Sequence, residues 1–125
     1  MLKDHDSAAI VAVRDLDRAR DFYGGALELG LIAKGAEEGV LTYRTGATRL
    51  VVYRSEFAGT NKANAVVWGV GDEFDAIVAA LETKGVHFEH YPGLGDLQGN
   101  VHVAGGMKLA WLKDSDGNIL HINSM

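Results

Sequence analysis

The two halves of the chain repeat one arrangement of strand and helix signals, and this internal echo restricts the fold more than any other feature. Ala9–Val13 and residues 65–70 are apolar runs of strand length, and each is followed by apolar residues at helical spacing. The helix-face residues are Ala19, Phe22, Tyr23 and Ala26 in the first half and Phe74, Ile77, Val78 and Leu81 in the second. We interpret the echo as a duplication, with a chance similarity as the alternative.

Further strands are predicted after each helix, so that each half has the order strand, helix and about three strands. The strand patterns cover residues 31–34, 40–44 and 48–54 in the first half and residues 86–90, 101–104, 107–113 and 119–123 in the second. Asp15 and Asp72 precede the helices and are predicted N-caps. Residues 114–118 fit a hairpin turn better than a calcium loop, and residues 93–99 are predicted as a mobile loop over the mouth of a cavity.

Composition excludes several classes of protein. The formal charge is −5 and no basic face is evident, which argues against a nucleic-acid partner. Cysteine is absent, which excludes disulfides and thiolate metal sites. No apolar run is long enough for a membrane-spanning helix. We expect one domain over residues 1–125, located in the cytoplasm, with no membrane partner.

Two motifs at the ends of the duplicated plan carry a resemblance to a known family. Residues 13–23 match the pattern V-x-D-L-x-x-x-x-x-F-Y, and residues 114–122 resemble D-P-D-G-N-x-h-E-h, where h is apolar. With both motifs, the chain resembles the vicinal oxygen chelate superfamily of glyoxalases, bleomycin-resistance proteins and extradiol dioxygenases. The resemblance covers residues 7–124. It implies an α+β fold of two tandem βαβββ modules, about residues 7–58 and 63–124, in which a curled mixed sheet surrounds a cavity and the helices lie on the outer face.

The resemblance also locates the positions at which metal-dependent relatives bind a divalent ion through His and Glu side chains. These positions are Ala8, Ala65, Leu50 or Val51, and His121. Two alanines and an aliphatic residue cannot bind a metal, and a lone imidazole is a poor site because affinity comes from several converging ligands. We therefore expect no metal and no cofactor.

Other histidines offer alternative ligands for a metal. His5 lies three residues before Ala8, outside the apolar strand, and the odd offset turns it to the other face. His87, Glu89 and His90 lie close together, and the first two share a strand face. The resembling family takes no ligand from that strand, so we favour a solvated polar edge strand over a metal site there.

The last hairpin supplies the main candidates for a ligand-binding site. A turn centred on Asp116 places Trp111 opposite His121, and opposed residues point to the same face of a sheet. We expect both side chains to face the cavity, with Leu109 and Asn123 beside them. Simple packing of Trp111 and a structural hydrogen bond of His121 are the alternatives.

Three more residues have weaker assignments. Tyr43 and His102 are also candidates for ligand binding, although the registers of their strands are uncertain. Trp68 has the opposite parity to Ala65 on its strand, and it is therefore predicted to pack under a helix rather than to contact a ligand.

Three functions are compatible with this pattern. The favoured one is a metal-free small-molecule-binding protein that sequesters a planar or amphipathic ligand, as the drug-binding branch of the resembling family does. The second is a metal-independent enzyme, a glyoxalase-like lyase or isomerase in which His121 acts as general acid or base on a small carbonyl compound. The third, a metal-dependent lyase or a dioxygenase acting on an aromatic compound, is least favoured. The resemblance further implies a homodimer, since several cavities of the family are completed by a partner chain.

Overall fold

Two helical segments pack on two mixed sheets, as the α+β prediction requires. The computed structural model describes residues 1–35 and 39–125, with Lys34 and Gly35 described by backbone alone. The first helix, α1, spans Leu16–Arg20 and continues as a π-helical segment over Asp21–Ala26, and the second, α2, spans Phe74–Thr83. Short 3-10 turns cover Leu2–Asp4 and Gly71–Glu73. None of the helices in the described part of the chain has the length and apolarity needed to cross a bilayer.

Each half of the chain builds its own sheet. The strands are β1 Ala9–Val13, β2 Gly30–Gly35, β3 Val40–Thr45, β4 Thr48–Arg54, β5 Asn64–Gly69, β6 Phe88–Glu89, β7 Asp96–Gln98, β8 Val101–Ala104, β9 Met107–Lys113 and β10 Ile119–Asn123. The first sheet has the order β1-β4-β3-β2 and the second β5-β10-β9-β8-β7, with β6 also on β9. In each sheet the first strand lies parallel to the last, β1 on β4 and β5 on β10. The sheets touch where β1 approaches β5, a junction that we call the seam.

The second half departs from its predicted strands between α2 and β8. The strand predicted over residues 86–90 is reduced to β6, and residues 93–99, predicted as a mobile loop, contain β7. The cause is competition for one edge of β9, because Phe88 pairs with Leu112 while His102 pairs with Leu109 on the same edge. β6 therefore pairs with β9 over two residues only, because β8 occupies the next part of the same edge. β7 pairs in turn with β8.

The two predicted helix caps have different outcomes. Asp15 is confirmed as an N-cap, since its carboxylate accepts the backbone N–H groups of Asp17 and Arg18 at 2.9 and 3.2 Å. The prediction for Asp72 is wrong, because this residue lies inside the 3-10 turn that leads into α2, whose N-terminal position is Glu73 without a side-chain cap.

The helices cover one side of the sheets and so define two faces. Ala19 and Tyr23 share a buried core with Val11 and Val13 of β1. Three residues of α2, Phe74, Val78 and Leu81, belong to the same core together with Ala110, Leu112, Leu120 and Ile122 of the last hairpin. We call the helix-facing side of each sheet the outer face and the opposite side the inner face.

The turn between β9 and β10 fastens the second half of the chain to the first. Asp114 accepts the Tyr23 hydroxyl at 2.6 Å and the Asn118 side-chain amide at 2.7 Å. It also accepts the backbone N–H groups of Asp116 and Asn118 at 2.9 Å each. The Asn118 amide donates in addition to the Ala12 carbonyl of β1 at 2.7 Å. The Asp and Asn of this motif therefore hold a hairpin turn against the first half, and burial beside Asp114 raises the pKa of Tyr23.

Candidate functional site

A row of four side chains crosses the inner face of the second sheet. The strand register aligns Val67 of β5 with His121, His121 with Trp111, and Trp111 with Glu89 of β6. Aligned residues on paired strands project to the same face. Their neighbours along β9 and β10 belong to the helix-facing core, so the row lies on the inner face. The predicted opposition of Trp111 and His121 is confirmed.

Aromatic rings gather around Trp111 in what we call the aromatic cluster, which consists of Trp111, His121, Tyr91 and His102. The indole stacks on the His121 imidazole with ring centroids 4.6 Å apart and planes 20° apart. Tyr91 and His102 meet the same indole edge-on, at 5.3 and 5.1 Å. Trp111 is 7% and His121 9% exposed, so both stacked rings are covered by protein.

The His121 imidazole has a contact at each nitrogen. Nδ1 lies 3.0 Å from the Ala110 carbonyl, which can only accept, so Nδ1 carries the proton. Nε2 is then the acceptor for the Asn123 side-chain amide, at a longer 3.3 Å. Burial lowers the pKa of His121, and the bond to the Ala110 carbonyl opposes that shift. The ring is therefore neutral near pH 7, with one weakly engaged lone pair.

His102 anchors the segment that covers the cluster. Its Nε2 accepts the backbone N–H of Tyr91 at 3.3 Å, and its Nδ1 donates to the Leu94 carbonyl at 2.9 Å. Both nitrogens are thus used to hold residues 91–94, and the side chain is 1% exposed. His102 therefore lies beside Trp111, and its two hydrogen bonds hold this covering loop in position.

An ion pair lies at the end of the row beside Trp111. The Lys113 ammonium bonds the Glu89 carboxylate at 2.6 Å, and the His87 imidazole lies 3.7 Å from the same group. The hydrogen bond from Lys113 lowers the pKa of Glu89, while burial and the nearby Glu89 charge raise the pKa of Tyr91. Polar groups therefore border the aromatic cluster on this side.

The sequence interpretation missed part of this arrangement. Glu89 was assigned to a solvated edge, yet its side chain is only 22% exposed and paired. Lys113 lies two residues from Trp111 and shares its face, a signal that strand periodicity could have supplied. Tyr91 follows a two-residue strand, and no sequence pattern marks it.

The other predicted ligand-binding residues divide into two groups. Asn123 lies on the inner face beside His121, and its side-chain oxygen accepts the backbone N–H of Met125 at 3.2 Å. Tyr43 is directed elsewhere: it is 1% exposed and lies in the helix-facing core, 6.2 Å from the Tyr23 ring between centroids. Because side chains alternate along β3, Tyr43 projects to the face opposite that of Thr42, and it therefore does not belong to the site. Trp68 packs against the outer-face core, as predicted.

A cavity of about 500 Å³ lies at the seam between the sheets. Its lining includes Ala8, Leu50, Ala65 and Val67, and the last of these is the register partner of His121. The family resemblance predicts metal-ligand positions at Ala8, at Ala65 and at Leu50 or Val51, and none of these residues has a donor atom in its side chain. In the part of the chain that the structure describes, no three His, Cys, Asp or Glu side chains are grouped to hold a metal ion. The residues present do not fit a divalent metal.

Comparison with known proteins agrees with this fold. The family model "Glyoxalase/Bleomycin resistance protein/Dioxygenase superfamily" matches residues 6–122. A glyoxalase/bleomycin resistance protein/dioxygenase from Alicyclobacillus acidocaldarius superposes with a TM-score of 0.73 at 22% identity, covering 98% of this chain and 93% of that chain.

Two further solved structures show the same fold at lower identity. A glyoxalase family protein from Enterococcus faecalis has a TM-score of 0.74 at 16% identity, covering 98% of this chain and 99% of that chain. The fosfomycin resistance protein FosX from Mesorhizobium loti has a TM-score of 0.71 at 12% identity, with coverages of 98% and 92%. A search of curated protein sequences gives no match. Since the family model spans both end motifs and both sheets, the chain belongs to the glyoxalase/bleomycin resistance protein/dioxygenase superfamily, the vicinal oxygen chelate superfamily.

Proposed function

We propose that this protein binds a planar or amphipathic small molecule on the inner face of the second sheet, without a metal ion. The stacked Trp111–His121 pair is the observation that carries the proposal. An indole beside a neutral imidazole offers a flat apolar surface and one hydrogen-bonding nitrogen, which together can orient a planar ligand. Sequestration by such a surface requires no catalytic group.

The polar groups at the border of the aromatic cluster would orient an amphipathic ligand. Lys113 and Glu89 carry opposite charges beside Trp111, and the Tyr91 ring lies against the same indole. An amphipathic molecule would place its flat part on Trp111 and its polar end toward this ion pair. At the other end of the row, Val67 is 59% exposed and leads into the seam cavity.

Access to the stacked pair requires movement of the covering loop, residues 91–94, which Gly95 joins to β7. The loop is held by the two bonds to His102 and ends at β7. Gly93 and Gly95 both have left-handed backbone conformations, with φ of 86° and 71°, which side chains with a Cβ rarely adopt. We propose that the loop opens to admit the ligand and then closes with Tyr91 against it.

Assembly into a homodimer is part of the same proposal. Ile10 is 61% and Tyr53 36% exposed on the inner face of the first sheet, and Val67 continues this apolar surface across the seam. A partner chain that covered these side chains would bury apolar area and complete the wall of the seam cavity.

Native mass spectrometry of the protein purified from its own host tests the binding proposal. We expect the chain to carry an organic molecule that denaturation releases, and elemental analysis to find no stoichiometric divalent metal. Trp111→Leu should weaken retention roughly fivefold or more, because a stacked aromatic contact contributes about 1 kcal/mol beyond burial. Phe57→Leu is the matched control and should retain the molecule, because Phe57 is an aromatic residue that is 75% exposed and lines neither the seam cavity nor the apolar cavity beside α2. About one metal ion per chain, or equal retention by the two variants, would contradict the proposal.

A metal-independent enzyme is the second candidate, and the state of His121 favours it. In the neutral ring, Nε2 carries a lone pair that the Asn123 amide contacts at a distance of 3.3 Å. This nitrogen could accept a proton from the carbon next to a carbonyl group. Hydrogen–deuterium exchange at the α-carbon of hydroxyacetone in D2O checks this function. If the protein is an enzyme, the unaltered chain should catalyse the exchange, and His121→Gln should abolish it with only a small change in binding. If the protein only sequesters its ligand, the unaltered chain should catalyse no exchange.

A further inference from the structure

A second cavity lies on the outer side of the molecule, separate from the aromatic cluster. It lies between the end of the first helical segment, α2 and the outer face of the second sheet, and it has a volume of about 210 Å³. Apolar side chains dominate its wall, among them Leu27, Leu29, Trp68, Ile77, Leu112 and Ile122. An apolar cavity of roughly 150 Å³ in another protein stays dry and admits benzene, so this volume is sufficient for a small ring.

One stripe of α2 forms a side of this outer cavity. Ile77, Ala80 and Leu81 all line it, and Lys84 continues the stripe at the next turn. These positions have the spacing i, i+3, i+4 and i+7, which places them on one face of a helix. The small side chain of Ala80 leaves room that a larger residue at this position would fill.

Beside the cavity, Lys84 makes saturated polar contacts with residues of its wall. The Lys84 ammonium donates to the carbonyls of Gly25 and Ala26 at 3.2 Å each and pairs with the Glu28 carboxylate at 2.9 Å. An ammonium has three N–H donors, so each is matched by an acceptor of the protein. The Lys84 charge is also balanced by Glu28, which leaves no free cation for an anionic ligand.

Glu28 has a φ of 58°, and it is the one non-glycine residue with positive φ in the described chain. It directly follows the C-cap residue Leu27 of the first helical segment, a position at which a left-handed residue commonly ends a helix. This helix ending lies between Leu27 and Leu29, which both line the cavity.

We propose that the outer cavity binds one small uncharged aromatic molecule, between benzene and indole in size. The volume sets the size, the paired charges of Lys84 and Glu28 leave no free charge for a charged ligand, and the Trp68 indole provides an aromatic wall. This site is independent of the proposed inner-face site, because Trp68 and Trp111 lie on opposite faces of the second sheet.

Titration with fluorobenzene, followed in the indole ¹⁵N–¹H spectrum, tests this inference. The chain has two tryptophans, so each indole N–H reports one site. We expect a saturable shift of the Trp68 signal and no saturable shift of the Trp111 signal. Intermolecular NOEs from fluorobenzene protons to the methyl groups of Leu29 and Ile77 should appear in the same unaltered protein. An unmoved Trp68 signal, or an absence of these NOEs at saturation, would overturn the inference.

Two alanines of α2 provide a matched pair of variants. Both are exposed, but Ala80 lines the cavity whereas Ala79 lies outside the lining. Ala80→Phe should fill the cavity and weaken fluorobenzene binding by roughly tenfold or more, while Ala79→Phe should leave it unchanged. Equal binding by the two folded variants would also overturn the inference. If Ala80→Phe does not fold, the NOE experiment on the unaltered protein decides the question alone.

Discussion

The His121 imidazole is held in one tautomer by contacts on both ring nitrogens. The proton is on Nδ1, which donates to the Ala110 carbonyl, and Asn123 approaches Nε2. A metal would need Nε2 together with other ligands, but the corresponding positions at Ala8 and Ala65 are alanines. We therefore propose hydrogen bonding of a ligand, or proton transfer, as the role of His121.

The titration of His121 is a prediction at this scale. Its imidazole pKa should lie below the ordinary 6.5, because burial disfavours the charged ring. A pKa that is lower in the folded state means that the unfolded chain binds the proton more readily. The contribution of His121 to the free energy of unfolding is therefore fully present above pH of about 6.5 and is lost as the pH falls through the folded pKa.

Proton NMR of the imidazole measures this pKa directly, and urea denaturation between pH 7.5 and 5 measures its effect on stability. His121→Gln should show a smaller loss of stability on acidification than the unaltered protein. His5→Gln changes an exposed imidazole near the N-terminus and should behave like the unaltered protein. A His121 pKa at or above 6.5 would contradict the account of its burial.

Site residues were predictable where a turn determined the strand register. The hairpin centred on Asp116 was sufficient to oppose Trp111 and His121, since side chains of paired antiparallel residues share a face. Tyr43 pairs with Leu50 in the hairpin of β3 and β4, but its face could not be predicted, because which side of this sheet the helix covers depends on tertiary packing. Tyr91 could not be identified, since its position depends on a hydrogen bond to His102 across the sheet.

Among the elements, the segment between α2 and β8 shows the clearest limit of local prediction. The apolar and polar alternation over residues 86–90 is typical of a strand. The final length of β6 depends instead on how much of the β9 edge β8 already occupies. Such competition is a property of tertiary structure, whereas β1, β4, β8, β9 and β10 have the predicted bounds because their own patterns agree with their partners.

Gly95, which joins the covering loop to β7, provides a prediction at the scale of elements. It has a φ of 71°, and a Cβ at this position would meet the Val103 carbonyl of β8. Gly95→Ala should therefore lower the free energy of unfolding by about 2 kcal/mol more than Gly99→Ala. Gly99 is the control in the same hairpin, since it also has a positive φ of 63° but open space around it. Urea denaturation gives both values, and equal losses would show that β7 is not packed as described.

For the whole molecule, the duplicated plan was the most informative feature of the sequence. It predicted two rounds of strand, helix and strands, and the family resemblance carried by the two end motifs implied the α+β architecture with helices on one face. The two sheets, the seam cavity and the outer cavity depend on how the halves meet. Contacts such as Tyr23 to Asp114 and Asn118 to Ala12 set that arrangement, and they join residues far apart in sequence.

The oligomeric state is a prediction at the scale of the whole molecule. The chain has a mass of 13.4 kDa, and we expect light scattering at micromolar concentration to give about twice this value, as the symmetric pairing of protomers requires. Ile10→Glu should shift the protein toward monomer, because it places a charge on the exposed apolar inner face. Asp4→Lys alters an exposed charge near the N-terminus and should remain dimeric. A single species of monomer mass would rule out a stable dimer.

The central claim is that Trp111 and His121 form the ligand-binding surface, and the indole ¹⁵N–¹H spectrum during titration with 2-naphthoate tests it most directly. This probe has a planar ring for the Trp111 indole and one polar end that can lie toward the Lys113–Glu89 ion pair. We expect the Trp111 signal to shift in a saturable way while the Trp68 signal on the outer face stays in place, and His121→Gln to weaken the binding. A titration that moves only the Trp68 signal, or neither signal, would contradict the assignment of the inner face as the binding site.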